Sequence, residues 1–407
     1  MNRSRLPAIL AILLLLPASM LAQVNSLTLP QALEVARRRA PTILAARDRI
    51  GEAKGRLLGA RVLLRDNPVL DFSAGPRQRP GSTVTDFEIG ASQSFELGGR
   101  RHARIASAQA DVERESALSD NTARELLRDV EVAFWRTIAA SERLRLATSA
   151  DANSADLMRS TQRRYELGDV AVLDVNIARN AAAKTRLELR SAEADQAAAL
   201  GELRIFLGMS PTEPLAVAGD LREHPAYQLD QLVAQASRRP DLLAISAELR
   251  QAEAEVQLGK ASTWPDVGLG IRYGHDEGNP VTKGEMRFTL PVFSRGQELR
   301  ATGEARATRL RGELAAGQQA VANEITTSLD VYERKIQAAE ELARNAVQSL
   351  DENENLARRS YEEGEINLRD LLLIRRDTFE TRLLYLNQLL DAALARVEVE
   401  ARAGVLK

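Results

Sequence analysis

A chain of 407 residues with 55 Lys and Arg against 57 Asp and Glu, and no cysteine, offers neither a basic nucleic-acid surface nor a disulfide or thiolate metal site. His102, His224 and His275 are scattered without ligand spacing, and no phosphate loop, nucleophile elbow or catalytic cluster is visible. The expectation is a protein that is not an enzyme and holds no cofactor or metal.

In chain order, Arg3 and Arg5 precede the apolar run "LPAILAILLLLPASMLA". This is the charged n-region, short h-region and small-residue exit of a secretory signal peptide, assigned to residues 1–22. The run is too short for a membrane helix. Without Arg3 and Arg5, 53 basic residues face 57 acidic ones. The missing cysteine also removes any lipobox, so lipid anchoring is not expected.

A helix is predicted over about 29–65, with Leu33, Val35, Ala36, Ile43 and Leu44 on its apolar face, stopped by Asn67-Pro68. Two period-2 strands follow at about 68–75 and 85–96, joined by the polar loop "GPRQRPGST". Leu70 and Phe72 lie on one face of the first. Phe87 and Ile89 alternate with Glu88 and Gly90 in the second. A long helix is predicted over about 99–165 and a return helix over about 171–207, completing a unit 23–210. A connector, 211–228, leads to the same plan again over 229–407. Its parts are a helix 229–262 stopped by Trp264-Pro265, strands 265–274 and 284–292 around "GHDEGNPVTK", a long helix 295–361 and a return helix 367–402. Leu269, Ile271, Tyr273, Met286, Phe288 and Leu290 form the apolar side of this second strand pair.

The two units echo each other in sequence. "YELGDVAVLDVNIAR" from Tyr165 returns 196 residues on as "YEEGEINLRDLLLIR" from Tyr361, and "TRLEL" returns as "TRLLY" at the same offset. Pro41 answers Pro240 and Pro68 answers Pro265, at nearly the same spacing. Matches in one order at one offset indicate duplication.

Each long helix spans about 100 Å at 1.5 Å per residue, too long for a compact domain of this size. Leu126, Val130, Phe134 and Ile138 form a narrow seam rich in neighbouring Ala, which suits helices side by side in a wall and equally a coiled-coil rod. The strands favour the wall. Four amphipathic strands cannot close alone, and an open apolar sheet aggregates. If the apolar side meets lipid, closure is obligatory and several chains must share one barrel of eight or more strands. A soluble β-subdomain capping a rod is the alternative.

The duplication, the paired strands and the repeated Y-x-x-G-x(5)-D resemble the TolC-like outer-membrane efflux proteins over essentially the whole mature chain. "FELGGRRHARIASAQA" is most similar to the CzcC-like heavy-metal branch. The resemblance implies a mainly α fold with a small membrane β part. As a homotrimer it would build a 12-stranded outer-membrane β-barrel continuous with a 12-helix periplasmic α-barrel. It implies an exit duct in the outer membrane, most of the chain being periplasmic. Its partners would be a periplasmic adaptor and an inner-membrane pump of the resistance-nodulation-division type, and its cargo heavy-metal cations or small toxic compounds. A periplasmic adaptor or a rod without a pore is the competing reading.

The resemblance also puts the doubled motif at the periplasmic tip. Gly168 and Gly364 suit the left-handed end of a helix, and Asp174 and Asp370 the start of the next. Asp370 and Asp174, with Tyr361, Tyr165, Arg375 and Arg179, are expected at a closed entrance, where three copies concentrate negative charge and favour cations. Val170, Val172, Leu173, Ile366 and Leu368 are expected to dock an adaptor. Being helix-start and hairpin-packing residues is the plainer role for the same positions. Gly98-Gly99 and Ser294-Arg295-Gly296 mark the strand-to-helix junctions, where Arg100 and Arg101 are expected among lipid headgroups or simply solvated.

Overall fold

A computed structural model describes residues 26–276 and 279–405; the predicted signal peptide lies outside them. Helix α1, Leu29–Arg39, is followed by α2, Pro41–Arg61. The second half opens with the matching pair α5, Leu229–Ala236, and α6, Pro240–Ala261. The single helices expected over 29–65 and 229–262 are therefore each two. Pro41 and Pro240 exclude the α region for the residue before them, and Ala40 (φ −63°, ψ 121°) and Arg239 (φ −57°, ψ 136°) step out of the helix accordingly.

The strands are longer than the sequence suggested: β1 Val69–Arg79, β2 Ser82–Phe95, β3 Asp266–Asp276 and β4 Asn279–Thr289. They form one antiparallel sheet in the order β1-β2-β3-β4. Arg79 pairs with Ser82, so most of the expected loop 75–83 is strand, and the turn is Pro80-Gly81 with Gly81 at φ +89°. Pro76 and Pro280 read as loop residues, yet both sit in the edge strands β1 and β4, where a missing N–H is tolerated.

Helix α3 runs unbroken over Arg100–Glu166 and α4 returns over Val172–Leu207. In the second half the expected continuous helix 295–361 is divided. Helix α7, Gln297–Asn345, ends at Ala346 (φ −127°, ψ −51°); a 3-10 turn, Val347–Ser349, leads into α8, Leu350–Glu362, and α9 returns over Leu368–Ala403. Asp351 and Glu352 then fall in the first turn of α8, where carboxylates suit the exposed amides.

These helices make a wall: α2 and α4 flank α3 on one side, α6 and α9 on the other, and α7 packs on α6 and α9. The flanking helices meet end to end. Gly208, which caps α4 at φ +64°, leaves only 2.7 Å between a hypothetical Cβ and the Arg39 carbonyl oxygen, so α4 stops against the start of α2 and only glycine fits. The largest core lies midway along α3. There Val130, Phe134, Trp135 and Ile138 pack with Leu203 and Leu207 of α4 and Val397 of α9. The non-helical connector closes over it with Leu215 and Leu221.

Candidate functional site

The register puts all the expected lipid-facing side chains on one side of the sheet. Phe72 pairs with Ile89, Ile89 with Tyr273, Ile271 with Ala91, Leu269 with Met286, and Val267 with Phe288. Leu70 pairs with Ala91, and Phe87 meets Tyr273 edge-on and His275 at a tilt; Leu290 follows in the same alternation, just beyond β4. Phe72 is 71% exposed and Leu70 77%. Phe87 is half-buried by its aromatic neighbours. Full burial of each such side chain is worth about 1.5–3 kcal/mol, so water on this face is costly.

The opposite face is ionic. Arg272 binds Glu285 at 2.6 Å and Glu88 at 3.3 Å, and Lys283 stands 3.8 Å from Glu88. Strands β1 and β4 are the outer strands, with no further strand beside them among the described residues. One face is apolar, the other charged, and both edges are open.

At the other end of the wall the two hairpin tips have one design. Gly168 (φ +86°) and Gly364 (φ +80°) end α3 and α8. Gly168 N donates to Tyr165 O and Asp169 N to Arg164 O; Gly364 N donates to Tyr361 O and Glu365 N to Ser360 O. This double bond pattern is the Schellman closure. The doubled Tyr-x-x-Gly thus has a backbone reason: the tyrosine carbonyl and the left-handed glycine complete one turn.

Asp174 and Asp370 are each the third residue of the next helix, where a carboxylate opposes the exposed amides. The caps differ. Asn367 Oδ1 accepts from Asp370 N at 3.1 Å, whereas Asp174 N donates to the Ala171 carbonyl oxygen. Asn367 was missed in the sequence, although an Asn before an apolar run is a recognised start signal.

The tips pack together through Leu157, Ala178, Ala357, Leu368 and Leu371. Leu368 is only 4% exposed, which corrects its assignment to a docking surface: it fills the space between hairpins. Ile366 and Tyr361 are half-buried against the same cluster, and the Arg164 guanidinium lies 5.7 Å above the Tyr361 ring. Val172 and Leu173 remain open, at 56% and 53%, as does Tyr165. Val170 is half-buried and Arg179 exposed. Within the protomer Arg375 donates to the Asn153 carbonyl oxygen at 3.3 Å and makes no ion pair with a tip carboxylate among the described residues. Burial depresses the affinity of its guanidinium for its proton. Asn153, Ile177, Glu354, Arg375 and Phe379 line a groove of about 570 Å³ between the hairpins.

Where sheet and wall join, Gly99 and Gly296 stand before α3 and α7 with φ of +81° and +74°. Arg100 is not free for headgroups, contrary to expectation. It holds Asp266 through two bonds of 2.8 and 2.9 Å and donates to the carbonyl oxygens of Ala261 and Trp264, satisfying the end of α6.

A family model described as outer membrane efflux protein matches residues 32–209 and again 232–405. The chain is 25% identical to the cobalt-zinc-cadmium resistance protein CzcC of Cupriavidus metallidurans, over 93% of this chain and 90% of that one. It is 27% identical to the pyoverdine export outer membrane protein OpmQ of Pseudomonas putida, over 83% and 74%. Its fold superposes on the Neisseria gonorrhoeae MtrE outer membrane channel with a TM-score of 0.75, at 18% identity, over 93% of this chain and 89% of that chain. With both halves matched, the chain belongs to the outer membrane efflux protein family.

Proposed function

We propose that three copies of this chain form a continuous duct: twelve strands closed into a barrel in the outer membrane, and twelve helical staves below it in the periplasm. The observation that carries this is the four-stranded sheet with one apolar face, one ionic face and two open edges, mounted on the ~100 Å helix α3 and its divided counterpart α7–α8. Edges left open in lipid are forbidden, and the ionic face with its Arg272–Glu285 pairs suits a wet lumen. Efflux needs no chemistry from such a chain; a periplasmic adaptor and an inner-membrane pump of the resistance-nodulation-division type supply coupling and energy. The similarity to a cobalt-zinc-cadmium resistance protein favours divalent metal cations as cargo over small toxic compounds.

The entrance is the ring of hairpin tips. Three Asp370 side chains, helped by Asp174, set a cation preference, and the tyrosines, with Arg179 and Arg375, hold neighbouring hairpins together. Exposed Val172 and Leu173, with Val170 and Ile366 beside them, offer the adaptor an apolar edge. Conductance of the purified trimer in planar bilayers tests this. Wild type should show a small, cation-preferring conductance. Asp370→Asn with Tyr361→Phe should raise the conductance several-fold and weaken the preference. An unchanged conductance and preference would remove the gate assignment, while a protein that forms no pore would remove the duct.

A further inference from the structure

Four helix ends converge at the level where the sheet gives way to the wall. Arg101 Nη2 donates to the Arg61 carbonyl oxygen at 2.8 Å, tying the end of α2 to the start of α3. A Cβ on Gly259 would stand 2.8 Å from the Gly296 carbonyl oxygen, so the end of α6 lies against the start of α7. Trp264 crosses Gly98 so closely that any side chain there would overlap its indole. Around this junction Leu63 is 74% exposed, Trp264 58% and Phe293 90%.

Cations are interleaved with these apolar groups. Residues 54–66, 96–104, 260–266 and 295–300 contain ten Lys and Arg against four Asp and Glu, in a chain whose net charge is −2. Two of those acids are already engaged, Asp266 by Arg100 and Glu96 by Arg104. Arg65 is left 3.9 Å from Glu96. Arg61, Arg101 and Lys260 are exposed and have no acidic partner among the described residues.

Elsewhere charge and apolar surface are segregated: the sheet separates them by face, and the wall pairs most of its arginines with acids. At the junction bare aliphatic and aromatic side chains, Leu63, Trp264 and Phe293, stand among the exposed cations Arg61, Arg101 and Lys260. A bilayer boundary presents that environment, with acyl chains above and phosphates beside them, and long cationic side chains bridge the two. We propose that this collar binds the phosphate headgroups of acidic phospholipids in the periplasmic leaflet and so fixes the depth at which the sheet sits. The inference rests on the sheet spanning the outer membrane. It moves the headgroup contact from Arg100, which is committed to Asp266, to Arg61, Arg65, Arg101 and Lys260.

The test reconstitutes the full-length protein in nanodiscs of phosphatidylcholine mixed with phosphatidylglycerol and counts retained lipid by native mass spectrometry. Wild type should retain phosphatidylglycerol several-fold over phosphatidylcholine. Arg61→Gln, Arg65→Gln and Arg101→Gln together should abolish that preference, and the corresponding three Lys substitutions should keep it. Equal retention of both lipids by inserted wild type overturns the collar alone, as does a Gln variant that keeps the preference. A Gln variant that inserts only as separate monomers assigns the collar to contacts between copies and overturns it too. A wild-type protein that enters no bilayer overturns the membrane reading beneath it.

Discussion

Midway along α3, Glu131 faces Arg396 of α9 at 3.6 Å in a nearly closed site. Glu400 lies on the same side of α9, and its carboxylate accepts the Tyr227 hydroxyl. Tyr332 of α7 packs on Tyr227. His224 and the Glu223 carbonyl oxygen come from the connector, the latter accepting from Arg396 at 3.1 Å. Burial, then the neighbouring Glu400 charge, push the Glu131 carboxyl from its ordinary 4.5 up to about 7, against the pull of Arg396. A raised carboxylate holds a proton in the native state that the unfolded chain has released. Stability from this group is therefore greatest below pH 4.5, falls as pH rises, and has been lost above about 7. The whole effect is at most about 3 kcal/mol, at 1.36 kcal/mol per pH unit of displacement. Glu131→Gln should remove that slope, so that the difference in melting temperature between variant and wild type grows in favour of the variant from pH 5 to pH 8. Parallel profiles for the two proteins would show that Glu131 ionises normally. Arg396 also lies 4.8 Å over the Trp135 ring. None of this was legible beforehand, because a Glu in an Arg/Glu-rich helix reads as solvated until the fold buries it.

Leu368 and Leu173 separate two meanings of an apolar residue at a helix start. Each stands in the first turn of a return helix, yet the first is 4% exposed and the second 53%. Leu368→Ala should cost about 2–4 kcal/mol of local stability by opening a cavity, seen as faster proteolysis of the 350–374 hairpin. Leu173→Ala should leave proteolysis unchanged and weaken capture of the adaptor several-fold; equal effects in both assays would erase the distinction. The sequence resolved both tips into helix, glycine turn and helix because Gly168 and Gly364 leave a local mark. It did not resolve which leucine looks inward, since that depends on where α3 and α8 sit beside the return helices. Prolines were legible by position only. Pro41 and Pro240 split helices that periodicity ran together, while Pro76 and Pro280 were read as loop because edge-strand status is a property of the sheet. The acidic first turn of α8, Asp351 and Glu352, was visible in the sequence and passed over, because the apolar seam continues across it.

At the scale of the assembly, the duplicated chain is an open segment of a wall: strands with one apolar and one ionic face, and staves that pack on their flanks. What no single chain contains is the neighbour that closes β1 and β4, and with it the axis on which the tips meet. The absence of native cysteine makes that axis testable by a single thiol. If three Asp370 side chains surround the entrance, Asp370→Cys places three thiols at one ring, and mild oxidation of the membrane-embedded protein should link two of every three chains into a dimer. Leu187→Cys, on an exposed part of α4 (Leu187 is 70% exposed), should give far less product under the same oxidant. The crosslink should also reduce the conductance, because it ties two hairpins together at the narrowest point. Equal crosslinking at 187 and 370 would mean collision in the membrane rather than a shared ring. Absence of any dimer at 370 from a protein that still conducts would place Asp370 on the outer side of the tip, and the cation preference would then need another source.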